Sequence, residues 1–501
     1  MRNEPDTITP RWEWRAFDRR FVVAGPRFDA LESKGTQETE ELYLLGHAPD
    51  ANVKVRFDLM DIKVLEEIDP HGLEQWRPVL KARLPLGAAE VGEVFAVLET
   101  PLPTLARASY TLDQFLDELA KPAGLWPVAV TKRRVRYEIG GCTAEVTEVA
   151  LDEQHVRTIA IESEDASAVI DAVRAMGLDG YSNMNYTRGL TAAVDNRDAV
   201  YGVVDVGTNS VKFHLAAWSP SGEWHTLVDR AELTRLGQGL DETGSISAVA
   251  LERTASTIAG MVDEARAHDV RAIAAVGTAG LRIAANREQV VAAIRDRAGI
   301  TVEVISGEDE SRLAYMAARA GLHLGDGSIV VFDTGGGSSE FTFGHGSRVD
   351  DRFSLNVGAV RYTERFHLEG QVPGSVLDHA RSAMSEDLGS LDDRPTPDAL
   401  VAMGGAVTNM AAVMHRLAAY DPRVVNGTVL DRAEIERQIA MYASTSTEDR
   451  RSIVGLQPKR AEVILAGACI TGTVMDKLGA TSATVSDRGL RHGLIVERFG
   501  P

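Results

Sequence analysis

Two stretches of this chain share one unusual order: an apolar run that ends on aspartate, then glycine, then hydroxyl side chains. The first is Val203-Val204-Asp205-Val206-Gly207-Thr208-Asn209-Ser210; the second is Val331-Phe332-Asp333-Thr334-Gly335-Gly336-Gly337-Ser338. The apolar runs read as buried strands. Successive glycines weaken any regular element they interrupt and add no side chain to a core. Something must therefore approach that backbone closely, either a second piece of chain or an oxyanion that needs bare N–H groups. One such loop by itself is an ordinary tight turn. Two loops with acid, glycine and hydroxyl in matching order predict a clamp that grips a phosphoryl group from both sides, its amides and hydroxyls converging on the oxygens. Gly207, Thr208, Asn209, Ser210, Gly335, Gly336, Gly337 and Ser338 are then the phosphate-binding candidates, and Asp205 and Asp333 can reach a divalent cation that bridges phosphate oxygens. No G-x-x-x-x-G-K-[ST] occurs, which excludes a P-loop. The partial G-x-G at 237–242 lacks its third glycine and reads as a turn.

Around these loops the texture changes along the chain. Residues 1–192 are strand-rich with interspersed helix, and a linker follows near 192–198. From 199 onward buried strands alternate with amphipathic helices, which predicts helix-flanked mixed sheets. A break at 321–328 divides this part into 199–324 and 325–501, one glycine loop in each. The predicted class is α/β with an α+β N-terminal domain, and three domains suit 501 residues. Apolar runs stay below the roughly 18 residues of a membrane span, and the first residues lack a signal-peptide core. Only Cys142 and Cys469 occur, far apart, which points to a reducing cytoplasm rather than a disulfide framework. A net charge of −20 disfavours nucleic acid as a partner. An anionic substrate would need a local basic groove and a divalent cation.

A candidate base follows from the stretch Ser306-Gly307-Glu308-Asp309-Glu310. Ser306 reads as a helix N-cap with Asp309 three residues on, and Glu310 falls in the first turn, where the helix dipole favours its ionised form. Such a carboxylate can orient and deprotonate a water, although acids crowd helix N-termini for structural reasons as well. Arg282 and Arg235 have the fork geometry for phosphate oxygens and are equally good surface ion-pair residues. Glu340 closes the second loop.

Taken in order, the segments "GVVDVGTNSVKFHL", "RLGQGLDETGSIS", "VGTAGLR", "ISGEDESRLAY", "VVFDTGGGSSEF", "MGGAVTNMAA", "GLQPKRAEVILAG" and "SDRGLRHGL" resemble the exopolyphosphatase/guanosine pentaphosphatase family of the actin-like ATPase superfamily. The resemblance spans residues 199–501 and implies two ribonuclease-H-like domains facing across a cleft. It also implies Glu310 as the catalytic base, and Asp205, Asp333 and Glu340 around Mg²⁺ or Mn²⁺. The implied reaction is hydrolysis of terminal phosphoanhydride bonds in inorganic polyphosphate, with guanosine pentaphosphate as the alternative substrate. Two rivals are a sugar or acetate kinase of the same superfamily and a polyphosphate-binding regulator without turnover. A second copy of the chain is a candidate partner, and a membrane is not.

In residues 1–192, cations recur two apart: Lys54 and Arg56; Lys81 and Arg83; Lys132, Arg134 and Arg136. Period two puts each set on one strand face, with Glu145, Glu162 and Glu164 on later strands. A solvated basic sheet face would look the same. Residues 11 to about 190 are similar to a CYTH (triphosphate-tunnel) domain, which implies a cupped sheet that holds polyphosphate on Lys132, Arg134 and Arg136. The opening strand reads "RWEWRAF" in place of E-x-E-x-K, so the expected role is holding or docking rather than hydrolysis. The resemblance also leads to the expectation that no HD-type helical domain follows Pro501.

Overall fold

The computed structural model describes residues 10–151 and 154–500. Eight strands near the N-terminus run β1 (Trp12–Asp18), β2 (Gly35–Leu45), β3 (Ala51–Arg56), β4 (Leu59–Ile68), β5 (Glu74–Arg83), β6 (Trp126–Ile139), β7 (Cys142–Leu151) and β8 (Gln154–Ser163). They close into a barrel in the order β1-β8-β7-β6-β2-β3-β4-β5, sealed by Trp12 opposite Gln75. The sequence pattern over 52–68 predicts one long strand. The chain instead turns back at Phe57-Asp58, both at positive φ (51° and 56°). A two-residue turn of this hand matches strand twist, but the Asn-Gly or Asp-Gly signature that would announce it is absent.

The barrel buries charged side chains in its lumen, and helices cover apolar parts of its outer surface. On β6, Lys132 and Arg134 point inward and are buried, while Arg133 between them is exposed. The helix Ala88–Val97 buries Val91, Val94 and Phe95 against one outer face, and Ala166–Ala175 buries Val169, Ala172 and Val173 against another. One end of the barrel is sealed by the helix Tyr186–Val194. Its Tyr186 and Leu190 pack on Phe17, Tyr43, Leu45, Val130, Val149 and Leu151.

Two sheets follow. The first contains β9 (Ala199–Val206), β10 (Ser210–Trp218), β11 (Trp224–Leu233), β12 (Ala272–Gly277) and β13 (Val302–Val304), in the order β11-β10-β9-β12-β13. The second contains β14 (Ser328–Thr334), β15 (Ser339–His345), β16 (Arg348–Leu355), β17 (Ala399–Met403), β18 (Val429–Asp431) and β19 (Ser482–Val485), in the order β16-β15-β14-β17-β19-β18. In each sheet the first three strands form an antiparallel ribbon and the next runs parallel to the first. The same topology occurs twice, as the family resemblance implies, and each loop joins the first two strands of its sheet. Helix Gly307–Gly321 runs between the sheets. The last helix, Leu490–Phe499, crosses back from the second sheet and buries Leu490, Leu494, Ile495 and Phe499 against β9, β10 and β12.

The barrel is fixed to the first sheet by backbone pairing. Ile273 N–H donates to the Gly180 carbonyl (2.8 Å) and Ser182 N–H to the Arg271 carbonyl (3.0 Å). A Cβ on Gly180 would lie 2.2 Å from the Ile273 carbonyl oxygen, so that approach needs glycine. Beside it the Tyr201 hydroxyl donates to the buried Asp18 carboxylate (2.7 Å) while its ring stacks on Phe499. Tyr201→Phe keeps the stack and removes the donor. It is expected to destabilise the full chain by about 1–3 kcal/mol, the cost of a buried acceptor losing its partner. An unchanged denaturation midpoint would show that this contact does not hold the barrel.

Candidate active site between the two sheets

The two glycine loops are the same structure. In each, the amide of the first glycine closes the turn: Gly207 N–H to Ser210 O (3.0 Å), and Gly335 N–H to Ser338 O (2.9 Å). The carbonyls behind are held by neighbouring chain. Thr208 O accepts from Gly237 and Asn209 O from Thr234 and Arg235, while Gly335 O accepts from Ala359 and Gly336 O from Val360 and Arg361. Among the described residues, the amides of Thr208, Asn209, Gly336 and Gly337 donate no hydrogen bond. Carbonyls tied back and amides left open make a receptor for an oxyanion. Close approach explains other glycines here. A Cβ on Gly358 would lie 2.4 Å from Gly336 O, and one on Gly280 2.9 Å from Thr208 Oγ1. Gly337 meets nothing and opens to the cleft. Of the alternatives posed by the sequence, neighbouring chain is met behind the loops, while the front is bare.

Hairpin register places the charges. The turn sets Asp205 opposite Lys212 and Asp333 opposite Glu340. Lys212 Nζ donates to Asp205 Oδ2 (3.0 Å). Glu340 accepts from Ser338 Oγ (2.6 Å) and Ser354 Oγ (3.1 Å). The two equivalent positions thus carry opposite charge, and Lys212 is a cleft residue that motif reading passed over. It could have been found, since both partners lie seven residues past their aspartates. Arg460 was also missed, and nothing local marks it. Its guanidinium crosses Gly405 so closely that a Cβ there would lie 2.4 Å from Nη2. Gly404, at φ +98°, leaves room for Asp333 in the same way. Arg235 is exposed beside the first loop.

Ser306 caps its helix as predicted, accepting from Asp309 N–H (3.0 Å). The Asp309 carboxylate is used there, accepting from Ser306 Oγ (2.7 Å). Glu310 instead faces the cleft and accepts from Arg282 Nη1 (2.8 Å), which also donates to the Ile305 carbonyl (3.1 Å). Burial raises the pKa of Glu310; Arg282 opposes this and the Asp205 charge adds to it. Burial likewise raises Asp333, with Lys212 and Arg460 opposing and Asp205 adding, and it raises Glu340. A cation suits this set. Asp205 is 1% exposed, and its Oδ1 has no hydrogen-bond partner among the described residues. Asp205, Asp333 and Glu340 do not form a ready cage. Among the described residues, the only trio of ligand atoms within 4.8 Å of one another is His214, Asp229 and His492. Magnesium, which keeps several waters and takes one or two carboxylates, fits the donors present.

In the barrel, Lys132 Nζ donates to Glu41 (3.0 Å) and the Tyr43 hydroxyl (2.6 Å) and lies 3.6 Å from the Tyr186 ring centroid. Arg134 pairs with Glu145 (2.9 Å), and Arg136 is exposed at the rim. Burial acts to raise Glu41, but Lys132, Lys54 and Arg134 outweigh it and hold the carboxyl down to about 2. A cavity of about 160 Å³ lies among Arg15, Lys54, Lys63, Arg134, Glu145 and Glu162.

Comparison with known proteins gives a consistent picture. Residues 217–500 match the Ppx/GppA phosphatase family, beginning just past the first glycine loop. The chain is 27% identical over 312 residues to exopolyphosphatase 2 of Mycobacterium tuberculosis, covering 59% of this chain and 98% of that one. It is 26% identical over 306 residues to a bifunctional 3-dehydroquinate synthase/phosphatase of Fusobacterium nucleatum, and spans 46% of that relative's length. A crystal structure of the Aquifex aeolicus Ppx/GppA phosphatase superposes with a TM-score of 0.56 at 30% identity, over 60% of this chain and 99% of that one.

Arg282 is the cation nearest Glu310. In Arg282→Ala the half-buried carboxylate loses its counter-charge, so its pKa should rise further. The acid limb of the pH–kcat/KM profile is expected to move to higher pH. A limb that stays in place would show that Glu310 does not govern it.

Proposed function

Because the chain belongs to the Ppx/GppA phosphatase family, we propose that it removes the terminal phosphoryl group of inorganic polyphosphate as orthophosphate, by direct attack of water. The observation that carries this reading is the pair of loops that tie back their carbonyls and leave four amides open. The terminal phosphoryl oxygens are held by the amides of Thr208, Asn209, Gly336 and Gly337 and by the Ser210 and Ser338 hydroxyls. Glu310 orients a water and takes its proton as the new P–O bond forms and the bridging P–O bond breaks. Arg282 keeps Glu310 ionised and lies beside the attacking side. Charge that develops on the transferred group meets donors already in place, which need no reorganisation at that moment. Asp205 and Asp333, with Glu340, would hold Mg²⁺, which when bound supplies positive charge against the phosphate oxygens.

Polyphosphate is favoured over guanosine pentaphosphate because the barrel offers a polymer further cationic contacts. These are graded: Arg136 at the rim, Arg134 deeper and paired, and Lys132 at 0% exposure with its charge already matched by Glu41. The rim supplies first contact and the buried pairs keep the lumen near neutral. Names of the exopolyphosphatase relatives point the same way.

Phosphate release from polyphosphate with Mg²⁺ tests the reading. Glu310→Gln is expected to lower turnover at least ~10²-fold, the scale of a lost general base, while Asp309→Asn remains within a few-fold because its carboxylate is engaged by the Ser306 hydroxyl at the helix start. The reverse order would move the base to Asp309. For substrate choice, kcat/KM for long polyphosphate should exceed that for guanosine pentaphosphate, and the margin should shrink as salt screens the rim contacts. A salt-insensitive preference for the nucleotide would overturn the polymer reading.

A further inference from the structure

A second group of ligating side chains begins on the same strand as Lys212 and has no part in the proposed reaction. His214 is two residues further along β10 and sits directly across the ladder from Asp229 on β11. His492, in the first turn of the helix Leu490–Phe499, lies over both. Its Nε2 is 3.2 Å from Asp229 Oδ2, and His214 Nδ1 is 4.0 Å from Asp229 Oδ1. The two imidazole centroids are 4.6 Å apart, and one ligand atom from each of the three residues falls within 4.8 Å of the others. Ligands around a tetrahedral ion at about 2.0–2.1 Å stand roughly 3.3 Å apart. The His492–Asp229 pair, at 3.2 Å, already has that spacing, and His214 at 4.0 Å would need to move closer. The His214 side chain is 4% exposed, and its Nδ1 has no hydrogen-bond partner among the described residues. A buried ring nitrogen without a partner is costly, and it is aimed at the carboxylate that completes the group.

We propose that His214, Asp229 and His492 bind a divalent transition metal of the zinc class, at a site separate from the phosphate cleft, and that this metal joins the C-terminal helix to the first sheet. Two imidazoles and one carboxylate select zinc-class ions over magnesium, which prefers oxygen. Burial disfavours the charged form of both imidazoles, which leaves them in the neutral form a metal requires. Arg491 donates to Asp229 Oδ1 (2.6 Å) and Oδ2 (3.0 Å), but each oxygen has a second lone pair. Two bonds of His492 must change: the metal replaces the Nε2 proton that faces Asp229 Oδ2, and the bond on the other ring nitrogen is lost. The Gly489 amide donates to His492 Nδ1 (3.2 Å), so in the metal-free protein the ring proton is on Nε2. Metal on Nε2 moves that proton to Nδ1 and releases the Gly489 N–H. Occupancy therefore unpins the amide at the start of the C-terminal helix while fixing its first turn to β10.

The test is titration of the full chain with Co²⁺ as a spectroscopic probe, with Zn²⁺ as competitor. One equivalent is expected to give visible d–d bands of low coordination number, which Zn²⁺ abolishes. The bands should persist in Asp333→Asn, which alters only the cleft, and disappear in His214→Ala and in His492→Gln. The second variant changes a more accessible position, and its fold is checked by an unchanged circular dichroism spectrum. Hydrogen exchange at the Gly489 amide should accelerate on zinc loading of the wild type. Absence of a one-equivalent band in the wild type would overturn the proposal whatever the variants do. So would bands that survive both histidine substitutions, or bands lost in Asp333→Asn.

Discussion

Four carboxylates face one cleft, and each makes its neighbours harder to ionise. Asp205 acts on Glu310 and Asp333, and Asp333 and Glu310 act on Glu340. Like charges gathered in a partly buried cleft disfavour one another's ionised form, so the arrangement depends on positive charge between the acids. Lys212, Arg282 and Arg460 provide it, and each comes from a different element. A polyphosphate end would bring more negative charge to the same place. The orphaned Asp205 Oδ1 shows where the protein's own cations fall short, and a divalent ion is the natural complement.

That charge pattern rests on two hairpins with equal geometry. The same turn in both sheets sets the residue opposite the aspartate, and a single choice at that position, lysine in one and glutamate in the other, makes the cleft asymmetric. The glycines contribute from outside the loops as much as within them. Gly237, Gly280 and Gly358 let neighbouring segments press against the loop backs, where a Cβ would lie between 2.2 and 2.9 Å from its neighbours. Those contacts occupy the carbonyls and leave the amides facing forward.

The barrel solves a related problem by pairing instead of by separation. Its interior holds Arg15, Lys132 and Arg134 against Glu13, Glu41 and Glu145, closed at one end by Tyr186, whose ring carries both Lys132 and Arg15. Removing one partner from such a buried pair typically costs about 3–5 kcal/mol, because the other charge is left unpaired. The lumen's cations are therefore held against acid partners, which offsets much of their charge.

The sequence by itself determined the paired strand-loop units, the alternation that turns Lys132 and Arg134 to one face, the Ser306 cap and the family. These are local matters: apolar runs, glycine placement and period-two spacing carry their own physical reason within a few residues. It could not separate Asp309 from Glu310, because both suit a helix N-terminus. Only packing decided that one accepts from the Ser306 hydroxyl and the other meets Arg282. It split neither 52–68 into a hairpin nor the lumen cations from their acids, since Glu41 lies 91 residues from Lys132 in the chain. Arg460 reached the cleft, and the last helix returned to the first sheet, for the same reason. Close approach between distant segments is set by the whole fold, and a residue's neighbours in the chain do not report it.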